Sequence, residues 1–110
     1  MALKVYFVSL DLVRLVRPLV VAIGREDPDL SRQMRRALSS IPLNVAEGES
    51  AVGRNQRLRF VTALGSAREA RACLEVAEAM GYVSAGQIAA AMDRFDHVAA
   101  MLFRLTHRGR

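Results

Sequence analysis

Tryptophan is absent from the chain, and four phenylalanines and two tyrosines hold the aromatic share of its 110 residues at 5%. A β-sandwich core, which draws on aromatic and β-branched side chains, is disfavoured by that shortage, and close-packed aliphatic helices are favoured. A single cysteine, Cys73, rules out an intrachain disulfide framework and fits a reducing compartment. At its position beside Leu74 it reads as a small buried hydrophobe. After Lys4 the apolar run Val5-Tyr6-Phe7-Val8 is soon broken by Asp11, Arg14 and Arg17. A secretory core of about 7–15 apolar residues and a charge-free span of about 20 are both lacking, which predicts a cytoplasmic protein with no membrane segment.

The chemistry-bearing motifs are equally sparse. No glycine-rich loop is present to cradle phosphate: Gly48, Gly53, Gly65 and Gly81 stand alone, as helix-end or close-packing residues. Gly65 and Ser66, in mid-helix, are expected to let a neighbouring helix approach closely. Asp93 and His97 stand four apart and could face one metal ion, but two ligands are too few, and the Glu-x-x-His pairs of di-iron bundles are missing. His107 is solitary. The chain is therefore expected to hold no metal and no cofactor and not to be an enzyme.

What is present is hydrophobic patterning with a helical period. Hydrophobic residues make up 52% of the chain, enough for one modest core, so residues 1–110 read as a single domain. The spacing predicts four helices. The first runs from about Val8 to Ile23, with Gly24 placed to end it and Pro18 placed to bend it near Arg14. The second opens with Asp27 as N-cap and Pro28 in the first turn and ends near Gly48. The third starts near Asn55 and runs to Gly81, with Phe60, Leu64, Ala67, Ala70, Leu74 and Ala77 on one face. The fourth opens on the capping-box pattern Ser84-Ala85-Gly86-Gln87, with Ile88, Met92, Phe95, Val98, Ala99, Leu102 and Leu105 inward. Short connections make neighbours antiparallel, so the expected fold is an all-α, up-down-up-down four-helix bundle.

The first helix is too apolar for that fold alone. Tyr6, Phe7, Val8, Leu10, Leu12, Val13, Leu15, Val16, Leu19, Val20 and Val21 cannot share the roughly 100° stripe that one core buries. Because monomers rarely expose large contiguous apolar patches, the excess predicts self-association.

The second helix carries the most distinctive segment, Ser40-Ile41-Pro42-Leu43-Asn44-Val45-Ala46-Glu47-Gly48. Pro42 lacks an N–H and crowds the carbonyl of Leu38, at a cost of roughly 3 kcal/mol in a helix interior. Leu30, Met34, Ala37, Leu38, Ile41 and Val45 nevertheless keep one apolar face, so a helix kinked at Pro42 and held by packing is expected. Asn44 is expected to satisfy backbone near the kink.

Gln33-Met34-Arg35-Arg36-Ala37, the Ser40–Gly48 segment, Arg59-Phe60, Ala63-Leu64-Gly65-Ser66-Ala67-Arg68-Glu69 and Gly81-Tyr82 together resemble the bacterial "four helix bundle protein" family over about residues 10–107. That family includes proteins encoded in intervening sequences of 23S ribosomal RNA genes. A related branch contains the accessory variability protein of diversity-generating retroelements. The resemblance implies a homopentameric, barrel-like ring, with Pro42, Asn44, Glu47, Gly48 and Glu69 as structural motif residues. For the retroelement branch it implies a basic surface that engages nucleic acid and a reverse transcriptase. No residue assigns the chain to that branch, and Asn55 stands where many members have a serine cap.

The charges sort by bundle end. Formal net charge is +5, from one lysine and fifteen arginines against eleven carboxylates. A GC-rich coding sequence could by itself write arginine for lysine, but the guanidinium fork also suits phosphate. In antiparallel helices one end gathers Lys4, Arg54, Arg57, Arg59, Arg104, Arg108 and Arg110 with Glu47 and Glu49, a local charge of +5. The other gathers Arg25 with Glu26, Asp27, Asp29, Glu75 and Glu78, a local charge of −4. Subunits pointing one way around a ring would align the basic ends into a rim for RNA or DNA. The competing structural readings are solvated helix ends, a frayed C-terminus and basic residues complementing the dipole of the fourth helix. Level matching also brings Arg35 or Arg36 near Glu69, and Glu47 near Arg57 or Arg59, as ion pairs that would fix helix register. The competing function is a protein–protein scaffold that docks a partner through the acidic end or outer face, with no nucleic acid.

Overall fold

The computed structural model describes residues 3–107 and consists of four helices: α1 (Lys4–Glu26), α2 (Pro28–Ser50), α3 (Gly53–Ala79) and α4 (Ala85–Thr106). Each packs on its neighbours in sequence and α1 closes against α4, which makes an antiparallel up-down bundle 43 Å long and 21 Å across. The α2–α3 interface is the most extensive and the α1–α4 seam the smallest. Among the described residues no helix is long and apolar enough to cross a membrane.

The core follows the sequence periodicity. Leu12, Val16 and Ile23 from α1 meet Met34, Ile41 and Val45 from α2 and Phe95, Val98 and Leu102 from α4, all fully buried. The buried face of α3 is small, with Ala63, Ala67, Ala70, Cys73 and Ala77 around Leu64 and Leu74. Small side chains let α2 approach α3 closely, and the ring of Phe60 lies against Gly48. A Cβ on Gly48 would stand 2.5 Å from Phe60 Cε1, so any larger residue there must displace the buried ring.

Two of the expected helix starts are present. Asp27 Oδ1 accepts from the Leu30 N–H at 3.0 Å, ahead of Pro28. Ser84 and Gln87 form a reciprocal capping box, with side-chain bonds of 3.2 and 2.8 Å. The α3 C-terminus closes with Tyr82 N–H on Ala77 O at 2.9 Å and Gly81 N–H on Glu78 O at 3.0 Å. Gly81 takes the left-handed φ of +82° that this reversal requires.

Other boundaries differ from the sequence reading. The first helix begins at Lys4 instead of Val8, because burial of Val5 and Ser9 overrides the weak helix preference of the β-branched and aromatic run. Gly24 does not end it: the helix continues to Glu26, and Gly24 instead allows α2 close, with Ser31 Oγ 3.1 Å from where a Cβ would be. That hydroxyl donates to Val20 O at 2.8 Å, tying the α1–α2 corner. The third helix starts at Gly53, with φ +59°, and stops at Ala79 instead of Gly81. Asn55 lies inside it and caps nothing; the Gln56 side chain instead donates to Gly48 O at 3.0 Å and Ala51 O at 3.1 Å, closing the α2–α3 turn. Nothing in the chain lies within 4 Å of a Cβ on Gly65, so no neighbouring helix of this bundle approaches it.

Both α1 and α2 continue through their prolines, Pro18 and Pro42. Pro42 is buried, and Asn44 Nδ2 donates to Ser40 O and Ser40 Oγ, each at 2.9 Å. The asparagine thus serves backbone beside the proline, at Ser40 instead of the Leu38 carbonyl that Pro42 leaves without its N–H.

Candidate nucleic-acid interface

Three contacts chain the four helix termini together at the basic end. The Leu3 N–H donates to Glu49 Oε1 at 2.6 Å, joining the start of α1 to the end of α2. Arg59 pairs with Glu47 at 3.1 Å, joining α2 to α3. Arg57 Nε donates to Thr106 O at 2.8 Å, joining α3 to the last turn of α4. Lys4, Arg54, Arg57, Arg59 and Arg104 are therefore gathered at one end, and all five are exposed. Arg108 and Arg110 lie outside the described residues.

These cations are not equivalent. Arg59 is partly neutralised by Glu47, although both side chains are about half-exposed, so water screens the pair. Arg57 caps a helix C-terminus, where a cation complements both the dipole and a carbonyl lacking an intrahelical donor. Among the described residues no carboxylate lies within ion-pairing distance of Lys4, Arg54 or Arg104. Beside the α2–α3 turn, Glu47, Ser50, Ala51, Asn55, Leu58 and Arg59 line a shallow depression of about 460 Å³.

Rings accompany the cations. Phe103 is 47% exposed, and the His107 imidazole stacks on it with centroids 3.9 Å apart and planes 26° from parallel. Phe7, near the start of α1, is 55% exposed and meets Tyr6 edge-on at 5.4 Å. The sequence reading counted Tyr6 and Phe7 in the apolar excess of the first helix, took His107 as solitary and passed over Phe103. The i, i+4 spacing of Phe103 and His107 at a helix end was the available signal, but exposure of a phenylalanine is settled only by tertiary packing.

The opposite end is acidic, and Asp27 ties two of its elements together. Asp27 caps α2 and also accepts the Tyr82 hydroxyl at 3.1 Å. Burial, the hydrogen bond to Asp27 and the charges of Asp27 and Glu26 push the Tyr82 phenol above its ordinary value.

Between the ends, an open polar groove of about 550 Å³ runs along α2 and α3, lined by Asp29, Arg32, Gln33, Arg36, Ala37, Ser40, Ser66 and Glu69. The expected ion pair of Arg35 or Arg36 with Glu69 does not form. Arg36 and Glu69 both line this groove, while the rung between the helices is taken by Ser66 Oγ donating to Ser40 Oγ at 2.8 Å. Arg71 on α3 instead reaches Asp96 on α4 at 2.8 Å and Glu75 at 3.4 Å. Burial, followed by the negative charge of Glu69, raises the Cys73 thiol above its ordinary value, so it is a poor nucleophile. Asp93 and His97 share a surface depression with Arg94 and Asp96, and among the described residues no three potential metal ligands converge.

Comparison with known proteins adds a family to this geometry. The model of the 23S rRNA-intervening sequence protein family matches residues 1–104. The chain belongs to that family. Among solved structures it is similar to a protein with unknown function from the S23 ribosomal protein family of Bacteroides thetaiotaomicron, with TM-score 0.83 and 25% identity. The match covers 93% of this chain and 97% of that one. No curated protein matches. The structure accounts for much of the Ser40–Gly48 segment as bundle architecture: Pro42 is in the core, Gly48 lies under Phe60 and Glu47 pairs with Arg59.

Proposed function

We propose that this member of the family is a non-enzymatic, homo-oligomeric helical module that binds RNA or DNA through its basic end. The observation that carries the proposal is the group Lys4, Arg54 and Arg104, gathered at one end with no carboxylate partner among the described residues. Unpaired exposed cations lose little on meeting phosphate and release its counterions, which favours binding at low salt. Self-association is supported by exposed apolar side chains: Leu15 and Val21 on α1, and Leu58, Val61 and Val76 on α3. A pentamer is the assembly the family resemblance implies, and it would repeat the basic end five times on one rim.

The test is a titration of labelled oligonucleotide with the wild-type protein and with Lys4→Glu/Arg54→Glu/Arg104→Glu. Reversing three charges is expected to weaken binding at least about 100-fold at low salt, with helicity and oligomeric mass unchanged. Equal affinity of variant and wild type would refute the rim. A scaffold role has its own support in the α2–α3 groove, which Arg36 and Glu69 line without pairing to each other. A salt-insensitive protein partner from nuclease-treated lysate, lost on reversing Arg36 and Glu69, would favour that reading instead.

A further inference from the structure

Aromatic rings are scarce in this chain, and where they are left uncovered is informative. Phe60 and Phe95 are in the core, and Tyr82 is held by Asp27 at the acidic end. Both exposed phenylalanines, Phe7 and Phe103, lie at the basic end, on the first turn of α1 and the last turns of α4. Fully burying one such ring would be worth roughly 1.5–3 kcal/mol, so leaving it in solvent beside unpaired cations points to a use for it.

We propose that the Phe103–His107 stack at the end of α4 is a platform for an unpaired base of a single-stranded nucleic acid, with Arg57 and Arg104 supplying contacts to its phosphates. This rests on the basic-end reading above and assigns its substrate class. The two rings are already stacked on exposed residues, and a base would extend that stack. The imidazole is pinned in orientation: Nδ1 lies 2.9 Å from both Phe103 O and Thr106 Oγ1, and among the described residues Nε2 has no hydrogen-bond partner. Arg57 is held at the same turn by its Nε bond to Thr106 O, and among the described residues its terminal nitrogens make no hydrogen bond or ion pair. Proteins that bind single strands combine these two elements, cations along the backbone and aromatic faces under the bases. A duplex offers phosphates but keeps its base faces covered, so the platform distinguishes single from double strands and the cations alone do not.

The experiment measures affinity for three probes of equal length: a single-stranded oligouridine, the same backbone with abasic sites, and an RNA duplex. Wild-type protein is expected to prefer the single strand over the abasic strand by roughly 5- to 150-fold, the range for one stacked base. Phe103→Ala should erase that preference while leaving abasic binding and its salt slope unchanged, and Phe103→Trp should retain it. Equal affinity of Phe103→Ala and wild type for the single strand would overturn the platform and leave the ring as an i, i+4 staple of the last turn. Binding of neither the single strand nor the abasic strand would refute the basic-end reading itself. Binding of both with equal affinity would refute the platform alone.

Discussion

The two ends of the bundle are built in opposite ways. At the acidic end the turns are closed by local contacts: Asp27 caps α2 and holds Tyr82, Gly81 closes α3, and Ser84 with Gln87 caps α4. At the basic end α1 and α3 begin without side-chain caps from Leu3 or Val52, three cations have no carboxylate partner among the described residues, and two phenylalanines face solvent. The acidic end uses its signals for helix caps and turns, and the basic end presents cations and rings that a partner could satisfy. Lesions at the two ends should therefore have different consequences.

The largest separation is expected from the triple reversal at Lys4, Arg54 and Arg104, which removes binding and leaves the thermal midpoint near its wild-type value. Next is Gly48→Ala, beneath the basic end. Its methyl would drive into the Phe60 ring and cost about 1–3 kcal/mol, seen as a thermal midpoint lower by several degrees at fixed protein concentration. Asp27→Ala at the acidic end should cost about 0.5–2 kcal/mol through loss of the α2 cap, with affinity for oligonucleotide unchanged. The smallest effect is expected from Tyr82→Phe, and it is best read through pH. The folded phenol holds its proton to higher pH than an unfolded tyrosine, whose value is about 10. Its contribution is thus complete below pH about 10 and is lost as pH rises through the higher folded-state value. Wild-type stability should decline more steeply than that of Tyr82→Phe across that window in denaturant titrations.

Much of the fold was legible in the sequence, because the acidic end is written in local signals. Asp27-Pro28 and Ser84 to Gln87 need only their own helices to act, and the inward faces of α3 and α4 repeat with helical spacing. The misreadings concern contacts between one helix and the next. Gly24 looked like a terminator until Ser31 was seen against it. Asn55 looked like a cap, but Gln56 reaching back to Gly48 and Ala51 closes the turn. Glu69 and Arg36 were matched by level along the hairpin, yet a hydroxyl pair, Ser40 and Ser66, occupies that rung. At the basic end the cations could be grouped from topology alone. Their partners could not, since Arg57 chooses a carbonyl of α4 and Arg59 a carboxylate of α2.

The claim that the ends differ in purpose is tested most directly by photocrosslinking a single-stranded oligouridine to the protein at low salt and locating the adducts by peptide mass spectrometry. The account predicts adducts on Phe103 or His107 and on the segments that carry Lys4 and Arg54, lost at high salt. Adducts concentrated around Asp27, Glu75 and Tyr82, or spread evenly along the bundle, would contradict it.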